Sequence, residues 1–384
     1  MTATQTMRFA RIEPGDPAPW FTQRTQQNPR FVFDTAGGRY VVLSFLVTAG
    51  DETGKALLAG VMANRPLFDD DRAAFFGVSL DPSDESEGRI ADRVPGIRFF
   101  LDHDGAVSRL FGAIPADPPP DPTRVPTRRF SLLLDPTLRV IATFPLDADG
   151  NARLMALLRS LPPPGAFAGT ELMAPVLFLP NVFEPEFCRG LIDLYEAKGG
   201  TESGFMREVD GKTVMVTDHG HKQRRDVAIE DQALIEACRE RIRRRVAPEI
   251  RKAFQFNVSR MERYIVACYS AAEGGHFRAH RDNTTKGTAH RRFAVSINLN
   301  AEFEGGEVSF PEYGPRSFKP PPGGAVVFSC SLLHAVSRIT AGTRYAFLPF
   351  LYDDAAAKIR EENNRFLGDN VGAYRAGTPA APPG

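Results

Sequence analysis

The stretch LPPPGAFAG, Leu161 to Gly169, sets three prolines in a row ahead of a glycine. Each proline fixes φ and removes a backbone donor, so neither a helix nor a paired strand runs through it. A chain of 384 residues is also too long for one ordinary core. The break therefore predicts two domains, 1–161 and 174–366, joined by a Pro/Gly-rich linker over 162–173. The chain ends in AGTPAAPPG, and a disordered tail is expected over 367–384.

The two halves differ in periodicity. Before the break, the continuous apolar runs YVVLSFLV, AFFGVSL and FSLLLD alternate with helically spaced ETGKALLAGVMANRPLF and HDGAVSRLFGA, and RVIATF reads as a hairpin partner. This is the pattern of an α/β domain whose strands are covered on both faces. DPPPDPTRVP inside it reads as a long surface loop. After the break, VLFLPNVFEPEFCRGLIDLYEAKGG predicts a strand and then a helix. A second helix carries the apolar stripe Cys238, Ile242, Val246, Ile250 and Phe254, with Pro248 kinking or splitting it. From Met261 onward, RYIVACY, RFAVSINLN, GGEVSFPEY, AVVFSCS and TRYAFLPFLY are short strands separated by turns, which predicts an antiparallel sandwich or jelly roll.

Charge narrows the partners. Lys plus Arg equals Asp plus Glu at 47 each, so the chain lacks the long-range field of a nucleic-acid or membrane binder. Arg241, Arg243, Arg244 and Arg245 sit on a helix with an apolar stripe and read as a solvated face. No apolar run reaches the roughly 18 residues of a membrane span, and the N-terminus has no leader-like core, so a cytoplasmic place is expected. The four cysteines lack CxxC spacing and lie among apolar neighbours, as buried reduced thiols do.

The polar residues that stand out are in GGHFRAHRDN, where His280 and Asp282 flank one residue. With seven histidines and 47 acidic residues, such a pair arises by chance about once in a chain of this length. His334, 52 residues beyond Asp282, and Arg344, ten residues further, change its meaning. Two imidazoles and a carboxylate are the ligands that hold Fe(II) while leaving positions open for a chelating 2-oxo acid and O2. Arg344 offers a bidentate fork for the far carboxylate of such an acid. His280 and Asp282 are expected on one side of an extended segment, and His334 and Arg344 on neighbouring strands of one sheet. Plainer readings stand beside these: His280 capping a turn, Asp282 in an Asx-turn with Asn283, His334 as a core histidine, Arg344 in a surface ion pair, Tyr269 as ordinary strand packing. His219 and His221 alternate in TDHGHKQRRDVAI, but zinc would need further ligands there.

Residues 174–366 resemble the Fe(II)/2-oxoglutarate dioxygenases of the prolyl-4-hydroxylase type. The likeness rests on VACYSAAEGGHFRAHRDN, on SINLNAEFEGGEVSFPEYG with its LN-x-x-FEGGE stretch, and on PPPGGAVVF before the third ligand. It implies a double-stranded β-helix with flanking helices. It also implies His280, Asp282 and His334 as iron ligands, Arg344 as the anchor of the 2-oxoglutarate C5 carboxylate, and Tyr269 as a hydrogen-bonding partner of that cosubstrate. Asn298 stands where some relatives carry a second cosubstrate-binding tyrosine. The implied activity is hydroxylation of a C–H bond with O2 as cosubstrate and release of succinate and CO2, with ascorbate as a further candidate cofactor. The acceptor would be a prolyl or other residue in a protein, or else a free amino acid or small metabolite. By the same likeness TDHGHKQRRDVAI would be a flexible segment over the substrate, with Arg225 and Asp226 at the entrance.

RIEPGDPAPWF, GRYVVLSFLV and IRFFLDHDGAVSRLFG resemble the thioredoxin-like fold of peroxiredoxins. The peroxidatic cysteine of that family should follow the strand, where this chain reads VTAGDETG, and no cysteine precedes Cys188. A thiol peroxidase needs a thiolate nucleophile, so the domain is expected to be non-catalytic, with Arg128 or Arg129 as a relic and homodimerisation or substrate docking as its use. A catalytically inactive binding protein, or one associated with thioredoxin-like redox chemistry, is the rival class.

Overall fold

The computed structural model describes residues 7–117 and 125–375. The chain divides into two compact units, Met1–Met173 with Pro311–Pro315, and Ala174–Phe310 with Arg316–Gly384. Most of the proline-rich loop, 118–124, and the segment AGTPAAPPG lie outside the described residues.

The first unit is built on a five-stranded sheet ordered Ile97–Leu101, Ala73–Ser79, Tyr40–Val47, Phe130–Leu134, Val140–Pro145. The first three strands are parallel and the last two antiparallel to their neighbours. Tyr40–Val47 is the middle strand, which explains its unbroken apolar run: Tyr40, Val42 and Leu46 face one core with Leu57, Val61, Leu154 and Leu158, whereas Val41, Leu43 and Phe45 face another with Phe76, Phe100 and Phe111. The strand Ile97–Leu101 was not singled out by the sequence reading, which took it only as part of a motif. ETGKALLAGVMANRPLF is a helix only to Ala63, because Pro66 ends the pattern in a single tight turn.

The second unit has two main sheets and a separate hairpin, Phe205–Val209 with Lys212–Val216, and the strand pairs are all antiparallel. The larger runs Arg260–Glu262, Phe350–Tyr352, Phe293–Asn298, Ala341–Phe347, Ile265–Ser270, Arg225–Ala228, Thr201–Glu202, with Ala325–Ser329 joining Phe293–Asn298 to Leu177–Leu179. The smaller runs Lys222–Gln223, His276–His280, His334–Val336, Val308–Ser309, Ser317–Phe318. Strand alternation sorts the larger sheet's side chains. Val266, Cys268, Phe293, Val295, Ile297 and Phe347 pack beneath helices Pro185–Lys198, Gln232–Arg245 and Ala247–Phe254. Ala267 and Tyr269 point to the opposite face, where Val336 of the smaller sheet packs against them. Phe328 of the larger sheet likewise lies 4.6 Å from the His334 ring of the smaller. This is a jelly roll with flanking helices.

The arginine-rich helix splits at Val246, with Pro248 in the first turn of its second half. Arg241 and Arg245 both pair with Glu184, whose carboxyl they pull down to about 2. The expected disordered tail needs correcting for its first residues. Gly368 N donates to Thr213 O at 2.8 Å, Asn370 Nδ2 to Met215 O at 2.9 Å, and the Arg360 guanidinium lies 4.0 Å over the Tyr374 ring. Backbone groups of the hairpin Phe205–Val209/Lys212–Val216 hold part of a stretch that composition alone marks as structureless.

Candidate metal centre

His280 ends one strand of the smaller sheet and His334 begins the next, and the two are direct cross-strand partners. Between Phe277 and His280 the ladder carries a bulge: three residues on one strand pass two on the other, from Val336 to His334. The bulge absorbs the extra residue, so Phe277 and His280, opposite Val336 and His334, share one face, and their rings stack with centroids 3.5 Å apart. Asp282 follows in a turn fixed by its backbone N–H, which donates to Cys330 O at 2.9 Å.

His280, Asp282 and His334 bring one ligand atom each within 4.8 Å of one another. Asp282 Oδ1 is 3.5 Å from His280 Nε2, and Oδ2 is 3.4 Å from His334 Nε2. The Nδ1 atoms are committed elsewhere: His280 Nδ1 lies 2.7 Å from Arg278 O, and His334 Nδ1 2.9 Å from Leu332 O. A ring nitrogen facing a carbonyl must carry the proton, which leaves both Nε2 lone pairs aimed at the carboxylate. Burial pushes the His334 imidazole down to about 4, the neutral state a ligand needs. Burial alone would raise the Asp282 carboxyl, but positive charge placed at His334 and His280 holds it well below the usual range. Two neutral imidazoles and a carboxylate fit a divalent transition metal such as Fe(II). Among the described residues no other group of three potential ligands converges in this way. His219 pairs with Glu202, and the His221 ring packs on Phe205 and Phe277, 6.3 Å from the His280 ring.

Arg344 corrects one expectation. It belongs to the larger sheet, opposite Tyr269, and not to the sheet of His334. The chain changes sheets between Val336 and Ala341, so anchor and ligand face each other across the interior. Arg344 is 1% exposed; its Nε donates to Asn298 Oδ1 and its Nη2 to Ser296 Oγ, both at 2.8 Å. Ser296 and Asn298 are the inward positions of a strand whose outward residues pack under the helices. Nη1 remains buried without a partner, which is the state of a donor reserved for a ligand. Gly305 and Gly306 of the FEGGE stretch have φ of +75° and +68°, and a Cβ on Gly306 would stand 3.0 Å from Arg344 Cδ. Gly306 thus leaves room for Ile339 and the Arg344 stem, whereas a Cβ on Gly305 would meet the Arg338 carbonyl oxygen at 2.0 Å.

The segment TDHGHKQRRDVAI is not a loose cover. Lys222–Gln223 pairs with the ligand strand and Arg225–Ala228 with Ile265–Ser270, so residue 224 spans the two sheets. Lys222 and Arg224 are each 4% exposed. Arg224 grips Asp226 with Nε and Nη2, each at 2.7 Å, and Nη1 donates to Tyr269 OH at 3.3 Å. Burial pushes Lys222 down to about 5. Asp226 is therefore an internal anion and not an entrance residue, whereas Arg225 is exposed and donates to Gly200 O. Lys222, Arg224 and Asp226, spaced by two, share one face of an extended segment, but every side chain from 222 to 226 is polar, so no apolar alternation marks that face as buried in the sequence. A cleft of about 710 Å³ opens beside the ligand strands, lined by His276, Phe277 and Arg278 on one and Ala335 and Val336 on the other.

In the first unit, Thr48, where a peroxidatic thiol would begin its loop, donates to Asp81 at 2.8 Å. Arg129 is committed to Asp51 at 2.6 Å, and Arg128 lies over the Phe9 ring at 3.8 Å.

The jelly roll and its inward His, Asp, His cluster define a class of non-haem metal sites. The sequence model of the 2OG-Fe(II) oxygenase superfamily matches residues 264–352, which lie in the second unit but for Pro311–Pro315 and span the strands of His280, His334 and Arg344. Over 103 residues the chain is 30% identical to a PKHD-type hydroxylase of Gluconobacter oxydans (strain 621H), an alignment covering 24% of this chain and 44% of that protein. The chain thus spans less than half the length of that curated relative. Among solved structures, a prolyl hydroxylase of Trichoplax adhaerens, crystallised with a hypoxia inducible factor peptide fragment, matches at 16% identity and TM-score 0.38, over 49% of this chain and 86% of that one. A peroxidoxin of Mycobacterium tuberculosis matches at 20% identity and TM-score 0.33, over 40% of this chain and 99% of that one. Among the described residues no helix is long and apolar enough to cross a membrane.

Proposed function

We propose that the chain is an Fe(II)- and 2-oxoglutarate-dependent dioxygenase that hydroxylates a C–H bond, with His280, Asp282 and His334 as the metal ligands. When bound, the ferrous ion supplies O2 activation coupled to oxidative decarboxylation of the 2-oxo acid, releasing succinate and CO2. The chain's own residues bind and orient. Arg344 Nη1 receives the distal carboxylate of 2-oxoglutarate, with Ser296 and Asn298 holding the guanidinium in place. The hydroxyl of Tyr269, directly across the strand pair, stands beside that carboxylate. The rings of Phe277 and His221 line the approach to His280 and exclude water from it.

The observation that carries this reading is the unpartnered, fully buried Nη1 of Arg344 on the interior face that also receives the ligand strands. The superfamily match and the PKHD-type hydroxylase relative support it. The acceptor we favour is a prolyl or other residue of a protein, on the likeness of the metal loop; a free amino acid is the other class. Four buried, free cysteines support a reducing, cytoplasmic setting, and the commitment of Arg129 to Asp51 supports a non-catalytic first unit. The test is succinate formation from 2-oxoglutarate with Fe(II), compared with His280→Ala. Turnover lost in the variant supports the proposal; no succinate from the unaltered protein, with or without acceptor peptides and amino acids, overturns it.

A further inference from the structure

Resting on that reading, we infer that Arg224 is a positioning residue for the 2-oxo diacid: through one hydrogen bond it turns Tyr269 into a donor aimed at the carboxylate held by Arg344. Arg224 has five N–H donors. Two go to Asp226 in a bidentate fork, and Nη2 also reaches Ser203 Oγ at 3.0 Å. The fork leaves the guanidinium no freedom to rotate. Nη1 is thereby carried to the Tyr269 hydroxyl, 3.3 Å away.

A phenol that accepts from a cation must point its own proton elsewhere. Tyr269 is 1% exposed, so its proton cannot turn to bulk water. The Arg344 guanidinium lies 5.3 Å over the same ring and its Nη1 has no partner. A carboxylate set against Nη1 would take both the unused guanidinium donor and the phenolic proton, which together match its two oxygens. Arg224 would not touch the diacid; it acts by fixing the hydroxyl rotor and adding positive charge behind it. Asn298 accepts from Arg344 Nε through Oδ1 and donates from Nδ2 to Pro320 O.

The test measures anaerobic 2-oxoglutarate binding by calorimetry to the full chain loaded with Fe(II), for Arg224→Gln, Tyr269→Phe and the double variant. Each single change should weaken binding at least about tenfold, as loss of a hydrogen bond to a charged group does. The double variant should be no worse than Tyr269→Phe alone. Binding of 2-oxobutyrate, which lacks the distal carboxylate, should be unaffected by either change. Arg224→Lys keeps the charge but loses the fork, and serves where the glutamine variant does not fold; it too should lose affinity only when Tyr269 is present. Independent, additive losses, or equal losses for 2-oxobutyrate, would show a merely structural role and overturn the inference. Failure of the unaltered protein to bind 2-oxoglutarate would instead overturn the proposed function.

Discussion

Replacing Glu262 with glutamine should destabilise the oxygenase unit selectively. Glu262, on the edge strand Arg260–Glu262, is 7% exposed and meets Arg291 Nε at 2.7 Å, Arg360 Nη2 at 2.7 Å and His290 Nε2 at 3.1 Å. Burial alone would raise its carboxyl, but Arg291, His290 and Arg360 together hold it well below the usual carboxylate range. Removing one partner of a buried ion pair costs about 3–5 kcal/mol, because the other charge stays buried unpaired. Arg360 keeps 25% of its side chain exposed and can be rehydrated, which favours the lower end. A loss of about 3 kcal/mol is about two decades in the unfolding equilibrium. Amide hydrogen exchange at pH 7 reads it directly: protection of the slowest amides in 265–270 and 293–298 should fall about 100-fold, while 40–47 in the first unit is unchanged. The pH dependence carries a sign. A depressed carboxyl stabilises above its unfolded value, near 4.5, and the contribution fades as pH falls through the folded value. The gap in urea stability between the two proteins should therefore narrow on acidification below about pH 4.5. Protection within about threefold of the unaltered protein, or a gap that widens in acid, would refute the argument.

Arg344→Ala should weaken 2-oxoglutarate binding by roughly two decades or more while Fe(II) is retained, measured by calorimetry and metal analysis, since the buried cation and its free Nη1 donor are lost and the ligands are untouched. Asp282→Ala should abolish Fe(II) retention on gel filtration. All four thiols should resist alkylation at pH 8 until the protein is unfolded, because burial pushes Cys188 up to about 11 and Cys238 up to about 12; fast labelling of any one in the native state would contradict this. Glu184→Gln should cost at most about 1 kcal/mol, since the carboxylate is 40% exposed, and its effect should vanish as pH falls from 4.5 through about 2 in acid titration.

The convergence of His280, Asp282 and His334 was legible because these residues sit in compact motifs whose chemistry is local. The two histidines and Asp282 need only a strand end, a turn and a strand start, and each leaves a mark in sequence. Which strands pair does not. Periodicity identified the strands of His334 and Arg344 but gave no sign that the chain changes sheets within four residues between them. The run KQRRD looks like solvated surface, because all five of its residues are charged or amide; burial there depends on Asp226 reaching back to Arg224, a contact two residues long, and on strands more than 40 residues away. The tail failed for the same reason: 367–375 owes its order to hairpin 205–216, not to its own composition.

The bulge in the strand of His280 makes its length there forgiving. Because a regular ladder returns to the same face every second residue, dropping the extra residue between Phe277 and His280 would leave the phenyl ring beside the imidazole, opposite Val336 and His334, and only straighten the strand. A lineage could thus gain or lose that one codon and keep both the hydrophobic shelf and the cation-holding trio.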